Sequence, residues 1–302
     1  VRVEFPGAIY HVMNRGDRRE PIVRDDRDRA VFLATLGETC QKTGWEVLAW
    51  CLMNNHFHLV VETPRGNLVA GMKWFLGTYT ARFNRRHKLV GHLFSGRYKA
   101  LVIEGGGAGY LRTVCQYVHL NPVRAGLIGP GQRLQQYCWS SYRAYLGSSN
   151  QRPSWLRVDR LFGELGIPED SVAGRRQFQR SVEQIRQLGT PERVRLAGGD
   201  WCLGDEQFRR ELLEQMIKKM GRHHGGPERL ETEERRAERI MREELERRRW
   251  NPLELPRRPK GDLEKVKIAR RLRAETTMTL EWIAVHLSMG AGGSVANCLR
   301  RC

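Results

Sequence analysis

The hydrophobic and polar positions in the first third of the chain form short alternating runs, separated by longer runs with helical spacing. The run "GAIYHVMNRG" (7–16) predicts a first strand that ends at Gly16. The run "DDRDRAVFLATLGETCQKTG" (25–44) predicts a helix, because acidic residues lie at its start and Gly44 closes it. A strand followed by a helix therefore opens the chain.

A β-hairpin is predicted next, over "WEVLAWCLMNNHFHLVVETP" (45–64), with its turn at the Asn54-Asn55 pair. Side chains two residues apart on a strand lie on the same face. The first face carries Phe57, Leu59 and Val61, and the second carries His56, His58 and Val60. The histidine pair is either two solvated strand residues or two ligands of a metal ion, and the spacing alone leaves both readings open.

The pattern continues with a helix from about Asn67 to His87, a strand over "RYKALVIE" (97–104) and a third helix from about Ala108. Hairpin-linked strands mixed with helices favour an α+β fold. We therefore expect a mostly antiparallel sheet with helices packed on it.

The third helix, within "YLRTVCQYVHLNPVRAGL" (110–127), combines a core stripe with polar groups. The stripe has helical spacing and consists of Leu111, Val114, Cys115 and Val118. Tyr110, Tyr117 and Asn121 share a neighbouring face, and Pro122 is expected to disturb the helix directly after Asn121. Tyr117 and Asn121 are therefore predicted to lie beside the core, facing the histidine side of the sheet.

The character of the chain changes after about Gly147. Short helices are expected over 155–190, and the Glu- and Arg-rich region 207–250 is interpreted as a solvated connector helix with i,i+4 ion pairs. This divides the chain into an N-terminal domain (1–147), a helical extension with a charged connector (148–256) and a C-terminal segment (257–302).

The C-terminal segment predicts three helices with a tight turn before the last one. "DLEKVKIARRLRAET" forms an amphipathic helix, Thr279 caps the helix of "TLEWIAVHL", and Met289-Gly290 leads into "GSVANCLRR". This order is typical of a helix-turn-helix that presents Ser294, Asn297, Arg300 and Arg301 to a DNA groove. The alternative is a small three-helix packing module.

The positive net charge of the chain predicts a polyanionic binding partner. The 302 residues include 52 Lys or Arg and 34 Asp or Glu, a formal net charge of +18. Residues 63–150 hold 12 Lys or Arg and a single acidic residue, Glu104. Such a concentration of positive charge in one region is better explained by binding to a phosphate backbone than by a need for solubility. Nucleic acid is therefore the expected partner.

The cysteines and the hydropathy narrow the expected compartment. The seven cysteines are scattered and include no C-x-x-C pair, which indicates reduced thiols of a cytoplasmic protein. No apolar run reaches the roughly 18 residues of a membrane span, and the start of the sequence shows no signal-peptide pattern.

Four motifs together resemble the REP-associated tyrosine transposases, which are HUH single-tyrosine transposases of the bacterial insertion-sequence type. The motifs are "GAIYHVMNRG", "CLMNNHFHLVVETP", "GHLFSGRYKA" and "YVHLNPVRAGL", in the family's order and spacing, and the resemblance extends over residues 5–146. It implies that residues 1–147 form an HUH, ferredoxin-like transposase domain. It also implies that His56, His58 and Asn121 bind a divalent metal, and that Tyr117 is the nucleophile.

The reaction that the resemblance implies is metal-dependent cleavage and joining of single-stranded hairpin DNA through a 5′-phosphotyrosine. Two imidazoles and an amide oxygen suit Mg²⁺ or Mn²⁺ and leave positions for phosphate and water. One alternative is a catalytically silent DNA-binding regulator that uses its C-terminal helices, and another is a hydrolase with an activated water. The protein is expected to act as a monomer or a homodimer.

Cations mixed with aromatic residues predict the DNA contacts, because phosphates pair with cations and bases stack on rings. The predicted contacts are Arg82, Arg85, Arg86, Lys88, Arg97 and Lys99, together with Asn297 and Arg300 near the C-terminus. Phe83 is equally a stacking platform or a core residue of its helix. His87, His92 and His119 have no ligand spacing and are expected to be structural or to contact phosphate.

Overall fold

Five strands form one sheet in the computed structural model, which describes residues 3–106, 109–188, 202–220 and 233–301. The strands are β1 (Ala8–Arg15), β2 (Glu46–Leu52), β3 (His56–Thr63), β4 (Lys99–Ile103) and β5 (Cys202–Leu203). Their order across the sheet is β2-β3-β1-β4-β5, and each neighbouring pair is antiparallel except β4 and β5. The predicted α+β class with a mostly antiparallel sheet is confirmed.

Helices fill the connections between the strands and most of the described chain after β4. They are α1 (Asp26–Thr43), α2 (Leu68–His87), α3 (Tyr110–His119), α4 (Asn121–Arg124), α5 (Ser141–Leu146), α6 (Asp159–Glu164), α7 (Val172–Leu188), α8 (Glu206–Met220), α9 (Glu233–Arg247), α10 (Leu263–Glu275), α11 (Leu280–His286) and α12 (Gly292–Arg301). The chain order β1-α1-β2-β3-α2-β4 is that of a ferredoxin-like unit. The predicted start of the third helix at Ala108 lies outside the described residues.

Local chemistry explains where the first helix begins and ends. The Asp25 carboxylate accepts a hydrogen bond from the Asp28 backbone N–H at 3.0 Å and so caps the start of α1. Gly44 adopts a φ of 71° at the other end, a conformation that glycine tolerates best. The helix therefore occupies nearly the whole range that its sequence predicts.

The two faces of the sheet carry different layers. On the first face, Phe57 packs against Phe32 of α1 and Phe75 of α2, with ring centroids 5.3 and 6.0 Å apart. On the second face, α3 packs on β2 and β3. The predicted core stripe of α3 is buried throughout: Leu111, Val114, Cys115 and Val118. The histidine face of β3 is therefore covered by the helix that carries Tyr117.

The helical conformation is interrupted between α3 and α4, as predicted from Pro122. α3 ends at His119, Leu120 has a φ of −89° and a ψ of 1°, and α4 starts at Asn121 with Pro122 in its first turn. Proline lacks the backbone N–H that a continuous helix would use. Asn121 thus begins a new helical turn close to Tyr117.

The extension is more helical and more tightly packed than the sequence indicates. α7 has 17 residues, longer than the short helices expected there, and its Phe178 and Val182 belong to the core around the sheet. The predicted connector contains two helices, α8 and α9, with residues 221–232 outside the described ranges. Ala237 and Ile240 of α9 are buried, because α9 has an apolar stripe beneath its charged surface.

A second hydrophobic core joins α9 to the last three helices. Its buried residues include Ile240, Val266, Leu272, Ile283 and Val295. The Thr279 hydroxyl accepts a hydrogen bond from the Trp282 backbone N–H at 3.1 Å and caps α11, as predicted. Gly290, with a φ of 89°, lies in the turn that leads to α12. The three predicted C-terminal helices are present in the expected order.

Polar contacts attach this second core to the N-terminal α+β domain. The buried Lys42 at the end of α1 donates to the backbone carbonyls of Arg273 and Thr276 at the end of α10. The Asn67 amide donates to the Glu233 carboxylate at 3.0 Å. Within the described residues, no helix combines the length and the apolar character needed to cross a bilayer.

Candidate active site

The strand β3 presents both histidines on the face that the alternation predicts. His58 is almost fully buried and His56 is half-buried, and their ring centroids are 5.2 Å apart. In the neighbouring strand β1, Met13 pairs with His58 and Arg15 pairs with His56. The two imidazoles therefore form one side of a recess between the sheet and α3.

Tyr117 closes this recess from the helix side. Its ring centroid lies 5.9 Å from that of His58, and its side chain is 9% exposed. The buried stripe of α3 fixes the rotation of the helix on the sheet, which turns the tyrosine towards the histidine face. The structure thus brings together a tyrosine and two imidazoles from elements that are about sixty residues apart in the chain.

Asn121 lies one turn further along, at the first residue of α4. Its side chain is buried, and its Nδ2 donates to the Val118 carbonyl at 3.4 Å. The amide oxygen, Oδ1, is therefore the atom of this side chain that remains for a cation. Among the described residues, no group of three or more His, Cys, Asp or Glu side chains is placed to hold a metal ion. The predicted ligand set differs from such a group because its third ligand is an amide.

His11 of β1 is a member of the site that the sequence interpretation missed. Its Nε2 lies 3.0 Å from Nδ1 of His58, and the two rings are stacked with centroids 5.2 Å apart. His11 pairs directly with Val60, so it meets His58 diagonally across the two strands. An imidazole in the apolar run "GAIYHVM" was the available signal, but its neighbour depends on the strand register.

Burial keeps all three imidazoles uncharged near neutral pH. It lowers the pKa of His11 to about 4, and burial followed by the nearby Arg15 lowers the pKa of His56 to about 4. The pKa of His58 lies well below its usual range, because of burial first and then the neighbouring His11 and His56. Neutral imidazole is the form that binds a metal cation.

The side chain of Asn55 joins His56 to the backbone of Arg19. The Asn55 Nδ2 donates to the Arg19 carbonyl at 3.0 Å, which orients the amide so that Oδ1 lies 2.7 Å from Nδ1 of His56. The predicted donor set of neutral imidazole nitrogen and amide oxygen fits a divalent cation such as Mn²⁺ or Mg²⁺.

Arg124 is a second site residue that the sequence interpretation missed. Its guanidinium carbon lies 4.0 Å from the centre of the Tyr117 ring, and the side chain is exposed to solvent. A cation over an aromatic ring is held by the negative face of the ring. Arg124 thus places a positive charge over the ring of Tyr117.

A groove of about 480 Å³ continues from His56 along the ends of β1 and β4. Five cations line it: Arg15, Arg18, Arg19, Arg97 and Lys99. Arg18 and Arg19 have positive φ angles of 50° and 64°, a left-handed backbone that costs energy in residues other than glycine. Two of the predicted DNA contacts, Arg97 and Lys99, therefore lie beside a predicted metal ligand.

Two of the other predicted DNA contacts make ion pairs with the helical layer. Arg82 donates to both carboxylate oxygens of Glu38 at 2.7 and 3.0 Å, and Arg86 pairs with Asp25 and Asp28. These ion pairs join α2 to α1, the helices on the sheet face opposite the histidines.

The remaining predicted residues lie outside the groove, either exposed on helices or buried in the core. Arg85 and Lys88 are exposed at the end of α2, and Phe83 is buried, so its core reading holds. Arg300 donates to the Asn297 amide oxygen at 2.6 Å, and both side chains are exposed on α12. Three histidines lie outside the site: His87 contacts the Asp28 carboxylate, His119 is buried beside Ser141, and His92 is exposed.

Comparison with known proteins gives one family match and one structural neighbour for the N-terminal part of the chain. Residues 5–121 match the family described as "Transposase IS200 like". A comparison with curated proteins finds no match to this chain. A solved structure described as "Structure of the REP associates tyrosine transposase bound to a REP hairpin" is similar with a TM-score of 0.41 and 13% identity, over 52% of this chain and 90% of that one. The matched segment begins before β1 and ends at Asn121. Residues 5–121 therefore match the IS200-like transposase family, in agreement with the resemblance of the sequence motifs.

Proposed function

We propose that this protein cleaves and rejoins single-stranded DNA through a covalent bond between Tyr117 and a 5′ phosphate, with the help of a divalent cation. The observation that carries the proposal is the position of Tyr117 against His58, in one recess with His56. A buried tyrosine alone, or a pair of histidines alone, is compatible with many functions. Their combination next to a cationic groove suits phosphodiester chemistry.

The proposed reaction begins when the Tyr117 hydroxyl oxygen attacks the phosphorus of the scissile phosphodiester. A bond forms between the tyrosine oxygen and phosphorus, and the bond between phosphorus and the 3′ oxygen breaks. The phenol loses its proton and the leaving 3′ oxygen gains one, so that the products are a 5′-phosphotyrosine and a free 3′-OH. The phosphotyrosine retains the energy of a phosphodiester, and a later 3′-OH can reverse the step without ATP.

The residues that would hold the cation are His56, His58 and Asn121. A bound divalent cation would supply positive charge to the phosphate and align it for attack. The protein contributes neutral imidazoles in a buried recess, where electrostatic interactions are stronger than in water. Arg124 contributes a further positive charge beside the nucleophile.

The groove beside His56 is proposed to hold the phosphates on one side of the scissile bond. Arg15, Arg97 and Lys99 line it, together with Arg18 and Arg19, whose backbones have positive φ angles. Cations along a groove bind single strands with little sequence preference. A hairpin substrate of the repetitive extragenic palindrome type follows from the sequence resemblance, and α12 with its exposed Asn297 and Arg300 is proposed as a second DNA contact.

The test is an adduct assay with the full chain. Labelled hairpin oligonucleotides are incubated with protein and Mn²⁺, or with EDTA, and a denaturing gel separates free DNA from protein-bound DNA. We expect a Mn²⁺-dependent adduct that disappears in Tyr117→Phe and persists in Tyr110→Phe, a matched change on the same helix. DNA cleavage without an adduct would favour an activated-water hydrolase. DNA binding without cleavage would favour a silent regulator.

A further inference from the structure

We propose that His11 and Asn55 are positioning residues that set the tautomers of His58 and His56, so that Nε2 of each ligand imidazole is the nitrogen left for the cation. The inference rests on the proposed function, because it concerns the same cation site. It assigns roles to two residues outside the predicted ligand set. Each contacts a ligand imidazole through a hydrogen bond.

Asn55 acts on His56 through a chain of two hydrogen bonds. The first, from Asn55 Nδ2 to the Arg19 carbonyl, prevents the amide from flipping, because a flipped amide would place two oxygens face to face. The second joins Asn55 Oδ1 to Nδ1 of His56 at 2.7 Å. An acceptor at Nδ1 requires a proton there, so the neutral ring keeps its lone pair on Nε2.

His11 acts on His58 by occupying its Nδ1. The 3.0 Å separation between His11 Nε2 and His58 Nδ1 means that one of these nitrogens donates a proton to the other. Coordination by His58 then has only Nε2 available, and a coordinating nitrogen must be unprotonated. His58 is therefore the donor and His11 the acceptor.

The packing around the pair limits other arrangements. Both imidazoles are 3% exposed, so water has little access to the shared hydrogen bond. The rings are stacked at an interplanar angle of 11°, and Tyr117 meets both of them edge-on. A ligand imidazole whose other nitrogen donates to a fixed acceptor is more basic and better oriented. Loss of such an acceptor typically weakens metal binding by about 10- to 100-fold.

The first test measures tautomers in the wild-type protein without any metal. Full-length protein labelled with ¹⁵N-histidine is treated with EDTA and studied by long-range ¹H–¹⁵N NMR. We expect protonated Nδ1 and unprotonated Nε2 for both His56 and His58, and unprotonated Nε2 for His11. A protonated Nε2 on His58 would overturn the inference for His11, and the same result on His56 would overturn it for Asn55.

The second test measures Mn²⁺ affinity by calorimetry, again with the full chain. His11→Leu and Asn55→Ala are each expected to weaken Mn²⁺ binding by about 10- to 100-fold, whereas His11→Gln, which keeps an acceptor, recovers most of the affinity. Ile9→Val and Asn54→Ala are the matched controls, on the same strand and in the same turn, and should bind as the wild type does.

The outcomes separate this inference from the proposed function. Unchanged Mn²⁺ affinity in His11→Leu and Asn55→Ala overturns the positioning roles even if the wild type forms its adduct. Absence of any adduct in the wild type, with the tautomers and affinities as expected, removes the proposed function instead. If His11→Leu does not fold, His11→Gln and the wild-type NMR spectrum still decide the question.

Discussion

The ring of Tyr117 meets the imidazole of His58 edge-on, with an interplanar angle of 76° and a centroid separation of 5.9 Å. The first residue lies on a helix and the second on a central strand, so their approach depends on how α3 packs on the sheet. The stripe residues that set this packing are therefore as important for the site as the two side chains themselves.

Shortening a stripe residue is expected to destabilise the protein and to weaken the site together. Val114 is fully buried on the sheet side of α3. Val114→Ala removes two methyl carbons from a packed core, which costs about 1–3 kcal/mol of unfolding free energy. Chemical denaturation measures this change. The matched change Arg112→Ala, at an exposed position of the same helix, should cost clearly less, and equal costs for the two would show that α3 does not pack as described.

Removal of the cation over Tyr117 is expected to slow adduct formation without abolishing it. Arg124→Ala eliminates a charge that lies 4.0 Å from the ring centre. An exposed cation–π contact contributes about 0.5–1 kcal/mol, equivalent to roughly a two- to fivefold slower step. Single-turnover kinetics measure the rate. Arg112→Ala, a change of an exposed arginine on α3, the helix of Tyr117, is the control, and a rate for Arg124→Ala equal to that of the control would remove the proposed role.

Cations of the groove and cations of the helical layer are expected to differ in DNA binding. Arg97→Ala and Lys99→Ala should each weaken single-strand binding and reduce the slope of log affinity against log salt by about 0.7. Arg82→Ala should leave both quantities unchanged, because this guanidinium is paired with Glu38. Fluorescence anisotropy at several salt concentrations measures all three variants. A salt slope that falls equally in Arg82→Ala would place the DNA on the opposite face of the sheet.

Acid is expected to destabilise the α1–α2 layer through Asp28. Burial raises the pKa of Asp28, but hydrogen bonds from the Arg24 backbone N–H, Arg86 and His87 outweigh it, so that the pKa lies below its usual range. A carboxyl whose folded pKa is depressed stabilises the protein above its unfolded pKa of about 4 and loses this effect as the pH falls. Thermal melts between pH 5 and pH 2 measure the loss.

The control for the acid effect is Asp28→Asn. The variant lacks the titrating group, so its melting temperature should be lower than that of the wild type at pH 6, with a difference that shrinks towards pH 2. A constant difference across this range would mean that Asp28 does not contribute through its charge.

The C-terminal helices are expected to contribute affinity for DNA and no chemistry. Asn297→Ala and Arg300→Ala change exposed side chains of α12, far in sequence from Tyr117. Hairpin binding should weaken while the rate of adduct formation at saturating DNA stays at the wild-type level. Arg270→Ala, a change of an exposed arginine on α10, serves as the comparison. Wild-type affinity in both α12 variants would favour the packing-module interpretation of these helices.

Much of the site follows from the sequence because its elements have strong local signals. The alternation in β3 predicts which face His56 and His58 share, and the stripe of α3 predicts the side of the helix that is buried. His11 escaped prediction because its contact with His58 depends on the register between two strands. Asn55 was predicted only as a turn residue, and the sequence does not show that its side chain contacts His56.

The distribution of charge could not be predicted in the same way. The density of Arg and Lys along the chain correctly marks a cationic region, but it does not show which cations are neutralised by another helix. Arg86 pairs with Asp25 and Asp28, which lie some sixty residues earlier. Only the packing of α2 on α1 separates such structural cations from those that line the groove.

The contacts of Lys42 and Asn67 have a consequence for dissecting the protein into fragments. Lys42 is buried with its ammonium group on carbonyls at the end of α10, and Asn67 donates to Glu233 of α9. A truncation before α9 removes these acceptors, and it exposes the surface of α1 that α10 covers. Such a fragment lacks several contacts that the N-terminal domain makes in the full chain. A loss of activity in the fragment would therefore not show whether the missing helices bind DNA.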